Sequence, residues 1–241
     1  MNGSLFGKRI DAVAEDVAIA SRILARHGIV DGFGHCSIRH PSMPDHFLLS
    51  RSMAPAMVTA GDVMTLDPDG APAADDERRP FLERFIHSAC YGARADIGAV
   101  VHSHAPTIIP FGLVPGVPLR AAYHMGAFIG GGLPVFEIRH CAGDVSDMLI
   151  RAPALGEALA IALGDAPAVL MRGHGVTVVG RDIRQAVFRA IYLDTNARIQ
   201  GAAMQFGAPA FLTEGEARSA AAVNDGQIDR AWDLWCRDLD I

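Results

Sequence analysis

The apolar positions of this chain alternate between two periods, and that alternation sets the expected elements. Ile10, Val13, Ala14, Val17, Ser21 and Leu24 recur at helical spacing, and Gly28 follows where a left-handed residue ends a helix. Short runs at 36–40, 46–50 and 63–67 read as strands, the last entering the turn Asp67-Pro68-Asp69-Gly70. A polar stretch at 71–79 leads to a helix over about 80–92, with Pro80 in its first turn. A strand over 97–104 comes next, then an irregular stretch at 105–134 rich in glycine and proline, then a strand-like 135–138. Beyond it the pattern predicts a helix over 153–163 and strands at 168–171 and 176–179. Asp182 and Gln185 resemble a capping box that opens a helix to about Phe206. Ile228, Ala231, Trp232, Trp235 and Leu239 form the apolar stripe of a terminal helix.

Strands interleaved with helices make this an α/β chain. Its 241 residues, half of them hydrophobic, suit one domain over 1–241. A net charge of −6 with scattered arginines argues against nucleic-acid binding. No apolar run spans a membrane, and acidic residues follow Lys8 and Arg9 where a secretory core would lie. Cys36, Cys90, Cys141 and Cys236 are widely spaced without a C-x-x-C pair, so reduced thiols in a cytoplasmic protein are expected. Lys8 is the only lysine, which nearly excludes Schiff-base chemistry. A metal ion is the obvious substitute as an electron sink.

The metal-binding pattern is His102-Ser103-His104 at a strand end, where two imidazoles two residues apart point the same way. His174, between Gly173 and Gly175 at a break between strands, is the best third ligand, although a lone Gly-His-Gly is more often only a turn. Three histidines leave a coordination position open for substrate. Glu83, on the helix before the histidine strand and among Phe81, Leu82, Phe85 and Ile86, is either a ligand, a proton-shuttling base or the partner of a surface arginine. Such a set suits zinc or manganese, with iron and cobalt as further options.

The order of four motifs, His27-Gly28 through Gly32-Phe33-Gly34-His35-Cys36-Ser37-Ile38-Arg39, then Glu83, then His102-x-His104, then Gly173-His174-Gly175, resembles the class II aldolase/adducin family over about residues 11–206. The resemblance implies a three-layer α/β/α domain around a central mixed or antiparallel sheet, and a homotetramer with sites near subunit boundaries. It also implies one divalent metal per subunit on His102, His104 and His174, with Glu83 as ligand or acid-base. Two departures bear on substrate. His35 stands where the phosphate-binding aldolases typically carry asparagine, and Phe81-Leu82 replace a pair of serines. Losing those donors argues for a non-phosphorylated aromatic acid. The tyrosine that these aldolases donate from a neighbouring subunit aligns near Tyr123-His124, either of which could act as an acid. Ser50-Arg51-Ser52 matches a substrate-facing loop, with Arg51 as a carboxylate clamp and Arg78 and Arg79 as weaker choices.

The expected function is therefore a metal-dependent carbon–carbon lyase acting on a small carboxylate. A decarboxylase of a hydroxylated aromatic or pyridine dicarboxylate is favoured, the named choice being 4-decarboxylation of 3-hydroxy-2-methylpyridine-4,5-dicarboxylate in vitamin B6 breakdown, with proton return from Glu83, His35, Tyr123 or His124. The alternatives are a retro-aldolase on a non-phosphorylated hydroxy-keto acid, an iron-dependent oxygenase, and a non-catalytic adducin-like domain.

Overall fold

The computed structural model describes residues 3–239, with side chains from residue 10 onward, so the side chain of Lys8 lies outside the described part. Seven strands form one sheet: β1 (His35–Arg39), β2 (Phe47–Ser50), β3 (Val63–Leu66), β4 (Ala99–Ser103), β5 (Val135–Phe136), β6 (Ala168–Met171) and β7 (Gly175–Gly180), in the order β3-β2-β1-β4-β7-β6-β5. All neighbours are antiparallel except β5 and β6, so the expected mixed sheet is present.

The period of two in the strands sorts the core into two layers. Ala99 and Val101 of β4 pack with residues of α1 (Gly3–Arg26), α6 (Ile183–Phe206) and α8 (Ile228–Arg237) on one face. Val100 packs with residues of α2 (Arg84–Ala93) and α5 (Pro153–Leu163) on the other. Burial on both faces gives the three-layer α/β/α arrangement. Among the described residues no helix is long and apolar enough to cross a membrane. All four cysteines are free.

Several boundaries differ from those the pattern predicts. Helix α2 begins at Arg84 rather than near Pro80, because Leu82 and Glu83 form a turn ahead of it, with Glu83 buried and Leu82 exposed. The predicted strand at 135–138 shortens to two residues and passes into α4 (Arg139–Ala142). The capping box at α6 is shifted by one residue. Asp182 accepts from the Gln185 backbone N–H, but the Gln185 side chain accepts from the N–H of Arg181. The irregular stretch holds α3 (Ile109–Leu113) and a 3-10 helix, His124–Ile129. The polar α7 (Glu214–Asp225) has too weak an apolar stripe to be read from its sequence, yet it is closed at its start by a true capping box of Thr213 and Glu216.

Candidate metal centre and adjoining cavity

His102 shares its face of β4 with Val100, so its ring points at the layer that holds α2, where it is fully buried. His104 sits one residue past the strand end, and His174 caps the tight turn between β6 and β7. Two glycines make that turn possible for different reasons. Gly173 takes a positive φ of 64°, and a Cβ on Gly175 would lie 2.1 Å from the Ser103 carbonyl oxygen. Gly175→Ala is expected to force β7 away from β4 at a cost of about 2–3 kcal/mol. Urea unfolding would show this as a lower midpoint, whereas an unchanged midpoint would mean that the strands tolerate the extra carbon.

Glu83 completes the cluster from the N-cap of α2, on the turn before the helix rather than within it. Its Oε1 accepts the buried Ile150 backbone N–H at 2.9 Å, which turns Oε2 to lie 3.6 Å from the Nε2 atoms of both His102 and His174. The His104 Nε2 is 3.1 Å from each of the other two Nε2 atoms. One donor atom from each of the four residues falls within 4.8 Å of all the others.

This donor set fits a divalent cation. Nitrogens 3.1 Å apart are what metal–nitrogen bonds of about 2.1 Å require when ligands meet near a right angle. The Nδ1 atoms of His102 and His174 are buried with no hydrogen-bond partner among the described residues, so each ring is oriented through its Nε2 alone. Burial first, and then the neighbouring histidines, lower His104 to about 4, which leaves its ring neutral and able to ligate. Burial opposes ionisation of Glu83, but His102 and His174 outweigh it and hold the carboxyl well below its usual range.

Beside the cluster opens a cavity of about 340 Å³ that reaches Glu83 and His104. Phe33, Phe81, Leu82 and Leu149 supply its apolar wall, and His35, Ser52 and Arg79 its polar side chains. Phe33 stands 70% exposed on the glycine-rich loop, with its ring 6.5 Å from that of His104. His35 opens β1 directly opposite His102 in the sheet register, so the two rings share a face and lie 5.1 Å apart. Burial and then the charges of His87 and His102 push His35 well below an ordinary histidine.

The other residues singled out by sequence divide between the cavity and the rest of the fold. Arg51 pairs through Nε with Asp62 at 2.7 Å and is not among the residues that line the cavity. Ser50 is buried within β2. Arg78 is tied to Asp76 and to the carbonyls of Gly61 and Val63. Of that group, Ser52 and Arg79 reach the cavity, and Arg79 makes no ion pair among the described residues. Tyr123 and His124 begin the 3-10 helix packed on α6 and α7, and they do not line the cavity. His87, Ser37 and Tyr91 were not anticipated. Their signal is the spacing of four in Glu83, His87 and Tyr91, which sets three polar groups along one side of α2 facing His35 and Ser37 on β1.

The chain is similar to several known proteins in sequence and in fold. The chain is 36% identical over 242 residues to the decarboxylase tropJ of Talaromyces stipitatus, with 90% of each chain covered. It is 35% identical over 200 residues to the 3,4-dihydroxyphthalate decarboxylase of Arthrobacter keyseri, covering 76% of this chain and 75% of that one. Its fold matches L-fuculose 1-phosphate aldolase from Glaciozyma antarctica PI12 with a TM-score of 0.77 at 23% identity, covering 95% and 90% of the two chains. The profile of the Class II Aldolase and Adducin N-terminal domain matches residues 15–201, and the chain belongs to that family.

Proposed function

We propose that this protein is a divalent-metal-dependent carboxy-lyase that removes CO₂ from a hydroxylated aromatic acid. The observation that carries this reading is the cavity itself, in which a three-histidine, one-glutamate cluster opens onto an aromatic-walled space with a single arginine. Its volume of about 340 Å³ suits one substituted ring. Phe81 and Leu82 give no hydroxyl donors for a phosphate, which disfavours a sugar phosphate. Relatives named as decarboxylases, three of them named 3,4-dihydroxyphthalate decarboxylase, support the same class.

A divalent ion held by His102, His104 and His174, from which substrate would displace Glu83, would supply a Lewis acid that draws electron density from a ring hydroxyl and its neighbouring carboxylate. The chain's own residues do the rest. Phe33 and Phe81 flank the ring, and Arg79 holds a second carboxylate by charge-assisted hydrogen bonds. Glu83 takes the proton of the ring hydroxyl as that group ionises. The carbon–carboxylate bond then breaks, its electron pair stays on the ring carbon, and Glu83 returns the proton to that carbon. Solvent reprotonates the ring oxygen as the product leaves, so each CO₂ released consumes one proton. Zinc and manganese are the proposed ions. The protein is proposed to act as a homo-oligomer in the cytoplasm, with Tyr123 or His124 brought to a neighbouring subunit's site.

The test is CO₂ release from a panel containing 3,4-dihydroxyphthalate, 3-hydroxy-2-methylpyridine-4,5-dicarboxylate and a ketose 1-phosphate. Release from either hydroxylated dicarboxylate, with the sugar phosphate left uncleaved, is expected. Aldol cleavage of the sugar phosphate alone would overturn the reading. In the same assay Arg79→Ala is expected to raise KM about tenfold, equivalent to ~1.4 kcal/mol, with kcat changed little. An unchanged KM would remove Arg79 from substrate binding.

A further inference from the structure

A buried polar chain runs from the cavity into the layer between β1 and α2. His35 Nδ1 lies 2.6 Å from His87 Nε2, His87 Nδ1 lies 2.6 Å from Ser37 Oγ, and Ser37 Oγ lies 2.7 Å from the Tyr91 hydroxyl. His35, Ser37, His87 and Tyr91 are all buried, with His87 and Ser37 fully so. Phe47 stacks parallel to His87 with centroids 6.2 Å apart and also packs on Tyr91, so the chain has a fixed seat.

The direction of the protons follows from the inner end. Among the described residues Ser37 is the only hydrogen-bond partner of the Tyr91 hydroxyl, so a buried phenol must donate there or leave its proton unpaired. Ser37 then has its own proton for His87 Nδ1, and His87 carries its proton on Nε2 for His35 Nδ1. His35 is left with its proton on Nε2, an atom with no hydrogen-bond partner among the described residues, in a ring that lines the cavity. The opposite direction would orphan the Tyr91 proton in the core, at about 1–3 kcal/mol. The inner end is also a dead end. Burial pushes the Tyr91 phenol far up, so the chain cannot deliver a proton to the cavity without leaving a buried phenolate.

We infer that Tyr91, Ser37 and His87 are positioning residues that lock His35 as a neutral Nε2–H donor, and that this donor selects substrates presenting an anionic oxygen, a carboxylate or ring oxygen, beside the metal centre. His35 in this role binds and orients substrate; it does not supply the reaction's proton. The inference rests on the aromatic-acid reading for its substrate, but the tautomer itself does not depend on that reading.

The experiment is nitrogen NMR on zinc-loaded protein carrying ¹⁵N-histidine, alongside CO₂ release from 3,4-dihydroxyphthalate. In the wild type His35 is expected in a single form protonated at Nε2. Ser37→Ala removes the donor that fixes His87 Nδ1 as an acceptor, so a second His35 tautomer appears, and KM rises about tenfold with kcat within about twofold. His87→Phe removes the partner of His35 Nδ1 itself and gives the same outcome should Ser37→Ala not fold. A wild-type His35 protonated at Nδ1 overturns the inference. So does a folded Ser37→Ala or His87→Phe protein with tautomer and KM both unchanged. If the probe is not decarboxylated at all, the substrate reading fails while the NMR result still decides the tautomer.

Discussion

Replacing His104 with alanine is expected to cost the protein its metal and to lower kcat/KM for CO₂ release at least about 10³-fold. His104 is the hinge of the cluster, its Nε2 3.1 Å from both other histidine nitrogens. Two histidines and a carboxylate remain after the change, which weakens affinity and removes the nitrogen that faces the cavity. A bound ion contributes several kcal/mol of charge stabilisation in the transition state, and about 4 kcal/mol corresponds to three decades of rate. His104 lies just beyond β4 and is only partly buried, so the fold should survive. Metal content measured on the folded variant, together with turnover, checks this. Full metal content with undiminished turnover would show that the histidine cluster is not the reacting centre.

Glu83→Gln separates the charge of that side chain from its shape. The amide oxygen can still accept the Ile150 N–H, so the turn before α2 is retained. The variant cannot take up the ring-hydroxyl proton or return it, and turnover should fall about 10²–10⁴-fold, the usual span for a general acid–base group. The three histidines should still hold an ion. A Glu83→Gln protein with its metal bound and full turnover would take Glu83 out of the chemistry.

Much of this centre was legible in the sequence because its signals are local. His102-x-His104 at the end of an apolar run and His174 between two glycines are read from the chain alone, and the structure brings both to one point. Glu83 stands out as a carboxylate among apolar residues, although its placement before α2 depends on the Ile150 contact, 67 positions away in sequence. The substrate side was less legible. Arg51 and Arg79 look alike as charged loop residues, and only the fold shows that Asp62 occupies one while the other borders the cavity. The His35-to-Tyr91 chain was hidden for a related reason. A histidine and a tyrosine on an otherwise apolar helix face read as packing until β1 is laid opposite them.

The rival readings differ in what they require of this site. An adducin-like scaffold needs no converging donors, yet four are present. A sugar-phosphate aldolase needs phosphate donors where Phe81 and Leu82 stand. An iron-dependent oxygenase could use the same ligands but would consume O₂ for every turnover.

The deciding measurement is product and gas stoichiometry with 3,4-dihydroxyphthalate under oxygen-free conditions, using protein loaded with zinc or manganese. One CO₂ for each ring product, with turnover abolished by a chelator and restored by the ion, is the predicted result. No CO₂ without oxygen, and O₂ consumption matched to turnover when air is admitted, would contradict the assignment.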